Sequence, residues 1–279
     1  MESMPGKVVG IWKQHRKLWI VIMTTVLLVA SLFSIIHFSK PALVALPWFR
    51  ALSQNSSKDD LDKGNLLLES DQYSQAVDVF SKAISEDGDL TKAYAGRGNG
   101  YLGLRRFDFA IADFTTSLKY ARSANVLSAR CNAYRVVMKY EMAQSDCEAA
   151  VAIDPKNSEA HIELGVLFLD LGRYAQARNE IEAAIQIDPS SANAYYALSQ
   201  LELEQGHSSL ALAALSKCIG LEPTRARWYW ERGVIYFSQG EIDLTGKDMQ
   251  AVLKYGNPDI DGELMLEAGT ILQEIGKSP

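Results

Sequence analysis

Two stretches of the chain, LGVLFLDLGRYAQARNEIEAAIQIDP at 164–189 and GNGYLGLRRFDFAIADFTTSL at 98–118, carry one spaced pattern that returns about every 34 residues from near Ser57 to near Asp259. The pattern is a small residue near the eighth position of a unit, an aromatic near the seventeenth, Ala near the twentieth and twenty-seventh, and Pro near the thirty-second. Residues three or four apart share a helix face, so this spacing predicts two packed antiparallel helices per unit and an array of such hairpins. Each hairpin leaves an apolar face that only its neighbour can cover.

The units begin at 57, 91, 124, 158, 192 and 226 and run 57–90, 91–123, 124–157, 158–191, 192–225 and 226–259. The first carries Gly64, Tyr73, Ala76, Phe80 and Ala83; the second Tyr94, Gly98, Tyr101, Phe107, Ala110 and Phe114; the third Tyr134, Tyr140, Ala143, Ala150 and Pro155. The fourth, with the third the clearest, carries Leu164, Gly165, Phe168, Gly172, Tyr174, Ala177, Ala184 and Pro189. The fifth keeps Tyr195, Leu198, Gly206, Ala211 and Pro223, and the sixth has Thr245 where Ala is expected. Small residues let paired helices approach, aromatics fill the wedge between them, and Pro cannot continue the preceding helix. Residues 260–279 follow as a cap and tail, in which Leu264, Leu266, Ala268, Ile271 and Ile275 form one apolar stripe that covers the last hairpin.

These residues resemble the tetratricopeptide repeat (TPR) family over nearly everything from Ser57 onward, with LGRYAQA at 171–177 and IDP at 187–189 as the most specific segments. The resemblance implies an all-α, right-handed superhelix of helical hairpins whose inner surface, lined by the first helix of each unit, binds peptides or partner helices. In such arrays positions 2, 5, 9, 12 and 13 face the groove. Position 9 is Asn65, Asn99 and Asn132 in the first three units, a row of carboxamides that offer donors and acceptors to a peptide backbone. The competing reading is that Asn is common at this position and merely solvated. Toward the other end, Tyr196, Leu203, Trp230 and Phe237 at positions 5 and 12 predict an apolar pocket for a partner anchor, unless Trp230 packs against the cap instead. The first and third units also look like arrays that clamp an acidic chaperone tail. Leu61, Asn125 and Ala129 replace the required cations, so no chaperone-tail carboxylate clamp is expected.

Leu18 to Phe38 read LWIVIMTTVLLVASLFSIIHF without Asp, Glu, Lys or Arg. At ~1.5 Å rise per residue this reaches roughly the ~30 Å hydrocarbon core of a bilayer. Trp12 and Trp19 lie near one end, Trp48 and Phe49 beyond the other. A cleaved signal peptide is the main rival; the long apolar run and the absence of a small-x-small cleavage site favour an uncleaved anchor. The expected organisation is a cytoplasmic segment at 1–17, one transmembrane helix at 18–38 and a linker at 39–56 that contains Pro41 and Pro47 and no helical apolar stripe. Lys7, Lys13, Arg16 and Lys17 precede the span, and only Lys40 and Arg50 closely follow it. The amino terminus is therefore expected in the cytoplasm and the array on the periplasmic or lumenal side.

A net charge of −6 provides no basic field for nucleic acid. Cys131, Cys147 and Cys218 occupy repeat positions 8, 24 and 27, where thiols are expected to act as small hydrophobes. A Cys131–Cys147 bridge within one hairpin is the alternative and requires an oxidising compartment. Gly98, Gly100 and Gly103 spell a dinucleotide fingerprint, but inside a helix and with no strand before it. His15, His37, His161 and His207 have no partner at metal-ligand or nucleophile-activating spacing, and Glu159, Glu163 and Asp170 read as one solvated helix face. No enzyme, cofactor or metal site is expected. The function expected is that of a membrane-anchored scaffold that binds protein partners in its groove during assembly of a membrane or envelope complex. A fixed accessory or chaperone-like subunit of a membrane-bound enzyme complex is the alternative.

Overall fold

The structure, a computed structural model, describes residues 47–86 and 89–276. The expected membrane helix at 18–38 lies outside them, and no helix among the described residues is long and apolar enough to cross a membrane. The described chain is all helical. The first hairpin is α1 (Pro47–Glu69) with α2 (Tyr73–Ser85), and the second is α3 (Leu90–Gly103) with α4 (Phe107–Tyr120). Then come α5 (Ala124–Val136) with α6 (Tyr140–Ile153), α7 (Ser158–Asp170) with α8 (Tyr174–Ile187), and α9 (Ala192–Glu204) with α10 (Ser208–Leu221). The sixth pairs α11 (Ala226–Ser238) with α12 (Ile242–Tyr255), and α13 (Pro258–Glu274) closes the array.

Within each hairpin the helices meet through the repeat's small positions. A Cβ at Gly64 or at Gly96 would collide with the Phe80 ring, which both residues press against, and one at Gly98 would stand 2.6 Å from Phe114 Cε1. Phe80 and Phe114 are completely buried, and each such burial is worth about 1.5–3 kcal/mol. Gly100 and Gly103 face Val77 and Tyr73 of the preceding hairpin in the same way. The apparent dinucleotide fingerprint is thus a set of close helix contacts inside α3.

All six hairpin turns reverse at the same repeat position with a left-handed residue. In the last three it is Gly172, Gly206 and Gly240; in the first three it is Asp71, Arg105 and Met138, at φ 56°, 57° and 59°. A side chain there costs roughly 1–2 kcal/mol that glycine avoids.

Three expectations change. Residues 47–56, read as linker, belong to α1: Pro47 opens the helix, where its missing N–H is harmless, and no Gly or Pro interrupts it before Gly64. Leu266, counted on the cap's apolar stripe, is 74% exposed, whereas Ala268 and Leu272 are fully buried against Met249 and Val252. Cys131 and Cys147 are a disulfide joining α5 to α6, with Cα atoms 5.5 Å apart. The two positions face each other across the hairpin where other units set Gly against Phe or Ile, and that juxtaposition permits the bond. Cys218 remains a buried free thiol, pushed up to about 12 by desolvation.

Candidate functional site: the concave wall of the array

The first helices of successive hairpins touch one another, α5 on α7 and α7 on α9, and form a continuous inner wall. It encloses a concavity of about 770 Å³. Its apolar floor comes from Ile162, Val166 and Leu169 of α7 and Ala197 of α9. Asn132 and Arg135 of α5 stand on one side, Asn193, Tyr196 and Gln200 of α9 and Arg227 of α11 on the other. Glu159, Glu163 and Asp170 of α7 and Glu204 of α9 complete it, so carboxylates outnumber guanidinium groups.

The three acidic residues of α7 do share a face, at spacings of four and seven. That face is the concave one, and Glu163 is 8% exposed rather than solvated. Asn132 Nδ2 donates to Glu163 Oε1 at 2.6 Å. Oε2 has no hydrogen-bond donor among the described residues, and the nearest cation, Arg135 Nε, stands 3.9 Å away and is itself without an acceptor. Arg135 instead donates through Nη1 to Asp170 Oδ2 at 2.9 Å. Burial, then repulsion from Glu159 and Asp170, raises the Glu163 carboxyl to about 7 against the opposing pull of Arg135 and Asn132. Glu159, whose side chain reaches solvent at the rim, is also raised by desolvation.

On the facing wall the Tyr196 hydroxyl donates to Glu231 Oε1 and accepts from Arg227 Nε at 3.1 Å and from Gln200 Nε2 at 3.3 Å. Arg227 Nε also reaches Glu231 Oε1 at 3.1 Å. Burial and the neighbouring Glu231 carboxylate raise the tyrosine's ionisation well above the ordinary range. Tyr196 is therefore a neutral, fixed hydrogen-bonding group.

Of the residues singled out from sequence, Asn132 and Tyr196 line this concavity. Asn65 on α1 and Asn99 on α3 are exposed on earlier hairpins. Leu203 packs with Tyr196 against the cluster of Leu215, Trp228 and Ile235. Trp230 packs against the cap-bearing cluster of Met249, Val252, Ala268 and Leu272, its indole nitrogen buried without an acceptor among the described residues. Phe237 is 38% exposed on α11. These four apolar side chains are not gathered into one pocket.

The sequence reading missed a second set of residues. In hairpins two, three and six an Arg on the first helix forms a fork to an Asp on the second. Arg97 Nε and Nη2 donate to Asp113 at 2.7 and 2.8 Å, Arg130 to Asp146 at 2.6 and 2.8 Å, and Arg232 to Asp248 at 2.8 and 2.7 Å. Nη1 of each reaches back to a hydroxyl of the preceding hairpin, Ser81, Thr115 or Ser216. Each clamp thus ties a hairpin together and to its neighbour. The constant sixteen-residue spacing of these pairs was a readable signal. His161 and His207 also lie against acids: Nδ1 is 2.7 Å from Glu180 Oε2 in the first and 2.9 Å from Glu202 Oε2 in the second. Among the described residues no group of three or more His, Cys, Asp or Glu could hold a metal ion.

A tetratricopeptide repeat profile matches residues 139–201, and a second matches residues 196–245. Residues 139–245 thus carry tetratricopeptide repeats. The TPR array is similar to RNA polymerase II-associated protein 3 of Homo sapiens, 31% identical over 104 residues, which are 37% of this chain and 16% of that protein. It is also similar to the DnaJ homolog subfamily C member 7 homolog of Schizosaccharomyces pombe, 29% identical over 115 residues, 39% of this chain and 24% of that one. The chain thus spans less than a quarter of the length of these relatives. A thermophilic TPR protein of Thermus thermophilus superposes with TM-score 0.60 at 18% identity over 66% of this chain and 99% of its own. Cut9–Hcn1, an APC/C hetero-tetramer, gives TM-score 0.63 at 17% identity, covering 76% of this chain and 43% of the matched one. These likenesses establish the TPR superhelical repeat fold.

Proposed function

We propose that this chain is a protein-binding scaffold that holds an extended segment of a partner in the concave wall between α5 and α11. The observation that carries this reading is the concavity itself: an apolar floor with convergent polar groups, of the size that suits a ligand-binding site. Asn132, Asn193 and Gln200 supply carboxamides for a peptide backbone. The scaffold acts by binding, and partner choice rests on side chains that differ from hairpin to hairpin.

The second element is location. The charge-free run at 18–38 and the basic residues before it support a single membrane span with the array on the non-cytoplasmic side. The Cys131–Cys147 bond fits that side, because disulfides persist in oxidising compartments. Since α1 begins at Pro47, the tether would be 39–46, and the groove would work close to the bilayer surface. In this role the protein recruits partners during assembly of a membrane or envelope complex.

The test is affinity purification of the full-length chain from membranes beside an Asn193→Trp variant, which fills the groove from an exposed position. The partner set should be lost from the variant while its melting temperature is unchanged. Retention of the same partners by the variant removes the groove from the proposal. Extraction of the chain by alkaline carbonate, or a carboxyl-terminal reporter active only in the cytoplasm, would remove the anchor or its orientation.

A further inference from the structure

The strongest unassigned feature is the α7 side of the concavity. Glu163 is more than nine-tenths buried, lines the cavity, and has an oxygen, Oε2, with no donor among the described residues. A buried acceptor left open is costly unless a ligand completes it. The groups around it decide which ligand fits. Arg135 on α5 is the only described cation beside it and is held by Asp170 at 2.9 Å. Glu159, one helical turn away on α7, has no guanidinium or ammonium partner among the described residues. On the opposite wall Tyr196 is committed to Glu231, and Arg227 to Tyr196 and Glu231. Glu204 adds a further carboxylate to the rim. After the internal pairs are formed, the carboxylates of Glu159, Glu163 and Glu204 are left on the concavity, the first two together on the α7 wall.

From this geometry we infer that the concave wall of α7 is a subsite for a cationic side chain, lysine or arginine, of the bound partner segment, with Glu163 Oε2 and Glu159 as its acceptors. The inference rests on the groove-binding reading above. An ammonium or guanidinium satisfies the open oxygen and neutralises the repulsion between the two carboxylates, both of which favour it over a neutral amide donor. An acidic or unbranched apolar side chain at the same place leaves Oε2 unpaired and covers it from water. Arg135 sets the direction of approach, since the incoming cation must enter from the Glu159 side.

Binding of a cation requires ionised Glu163. The carboxyl's raised ionisation, about 7, makes affinity for a cationic segment rise with pH. Between pH 6 and pH 8 the ionised fraction increases about tenfold, while the lysine or arginine of the ligand stays charged. Arg135 and Arg227 also stay charged, so they add no slope in this window.

The test uses the full-length chain in detergent micelles and fluorescent twelve-residue peptide pools. The central residue is fixed as Lys, Arg, norleucine, Gln or Glu, and the other positions are randomised. The expected result is that Lys and Arg pools bind about tenfold or more tighter than the norleucine pool, with the Glu pool weakest. Glu163→Gln keeps the shape and the partner for Asn132; it should level the Lys and norleucine pools and flatten the rise between pH 6 and 8. Glu159→Gln, at the exposed rim, should reduce the Lys preference in part and serves as a second variant that leaves the buried cluster intact. Equal binding of all five pools, or a Lys preference that survives in both variants, overturns the cationic subsite and leaves groove binding standing. No binding of any pool that Asn193→Trp abolishes overturns the groove reading itself.

Discussion

Hairpins three and four are neighbours with the same backbone, yet they are held together by different chemistry. In hairpin three Arg130 forks onto Asp146, and the next residues in each helix, Cys131 and Cys147, are covalently joined. In hairpin four the corresponding residues are Leu164 and Glu180, then Gly165 and Ile181; Leu164 and Ile181 are buried, and Gly165 lies against Ile181. Glu180 takes His161 instead. The turn of hairpin three places Met138 where hairpin four has Gly172. The difference teaches that polar pairing between the helices and polarity of the groove are separate choices: the clamp of hairpin three faces its own second helix, while the buried acid of hairpin four faces the cavity.

The largest effect should come from breaking the clamp on one side. Asp146→Ala leaves the largely buried Arg130 guanidinium without its carboxylate and should cost about 3–4 kcal/mol in denaturant unfolding. Replacing both partners together, Arg130→Leu with Asp146→Ala, copies the Leu198 and Ala214 that hairpin five has at these positions. It should recover most of that loss, because no charge is then stranded. A double variant as unstable as the single one would mean that the clamp is structurally irreplaceable in hairpin three.

Next, reduction of Cys131–Cys147, which closes a loop with a sequence separation of 16, should lower stability by about 3 kcal/mol. Thiol titration of the denatured protein should find one free thiol before reduction and three after it. Three at the outset would remove the bond that distinguishes this hairpin.

Hairpin four should respond to pH through Glu163. The Glu163 carboxyl is raised from its ordinary value of 4.5 to about 7 on folding. Between those values the folded state holds a proton that the unfolded chain has released, so stability falls as pH rises from about 4.5 through about 7 and then levels. The full difference is about 3 kcal/mol. Glu163→Gln should remove that slope and be the more stable protein at pH 8.

The smallest effect lies in the turns. Met138→Gly should stabilise by about 0.5–1 kcal/mol, because relief of the left-handed side-chain strain slightly exceeds the added chain entropy of glycine. Gly172→Met should do the reverse in hairpin four, and thermal melts of the pair would show it.

The periodicity made the helical pairing legible, because Gly64, Gly98 and Gly165 recur where helices must approach and Phe80, Phe114 and Ile181 recur where something must fill the gap. Asn132 and Tyr196 were legible as groove residues because the repeat assigns positions to the inner surface. The burial of Glu163 was not, since a helical wheel places it beside Glu159 and Asp170 but says nothing about the curvature that folds α5 and α9 around that face. Trp230 took the second of its two readings: its position in the repeat points to the groove, but in the last hairpin it packs against the cap-bearing cluster. The disulfide required knowing that repeat positions 8 and 24 touch, and the clamps required comparing charge pairs sixteen apart rather than the three or four of one helix.

The most direct measurement is photocrosslinking of the full-length chain in lysate of its native cells, with benzoylphenylalanine at Asn193 in the concavity and at exposed Glu148 on α6 as the control. The account predicts protein adducts from 193 that disappear when a binding peptide pool is added, and none of that kind from 148. Adducts from 148 with none from 193 would contradict the concave wall as the working surface of this array.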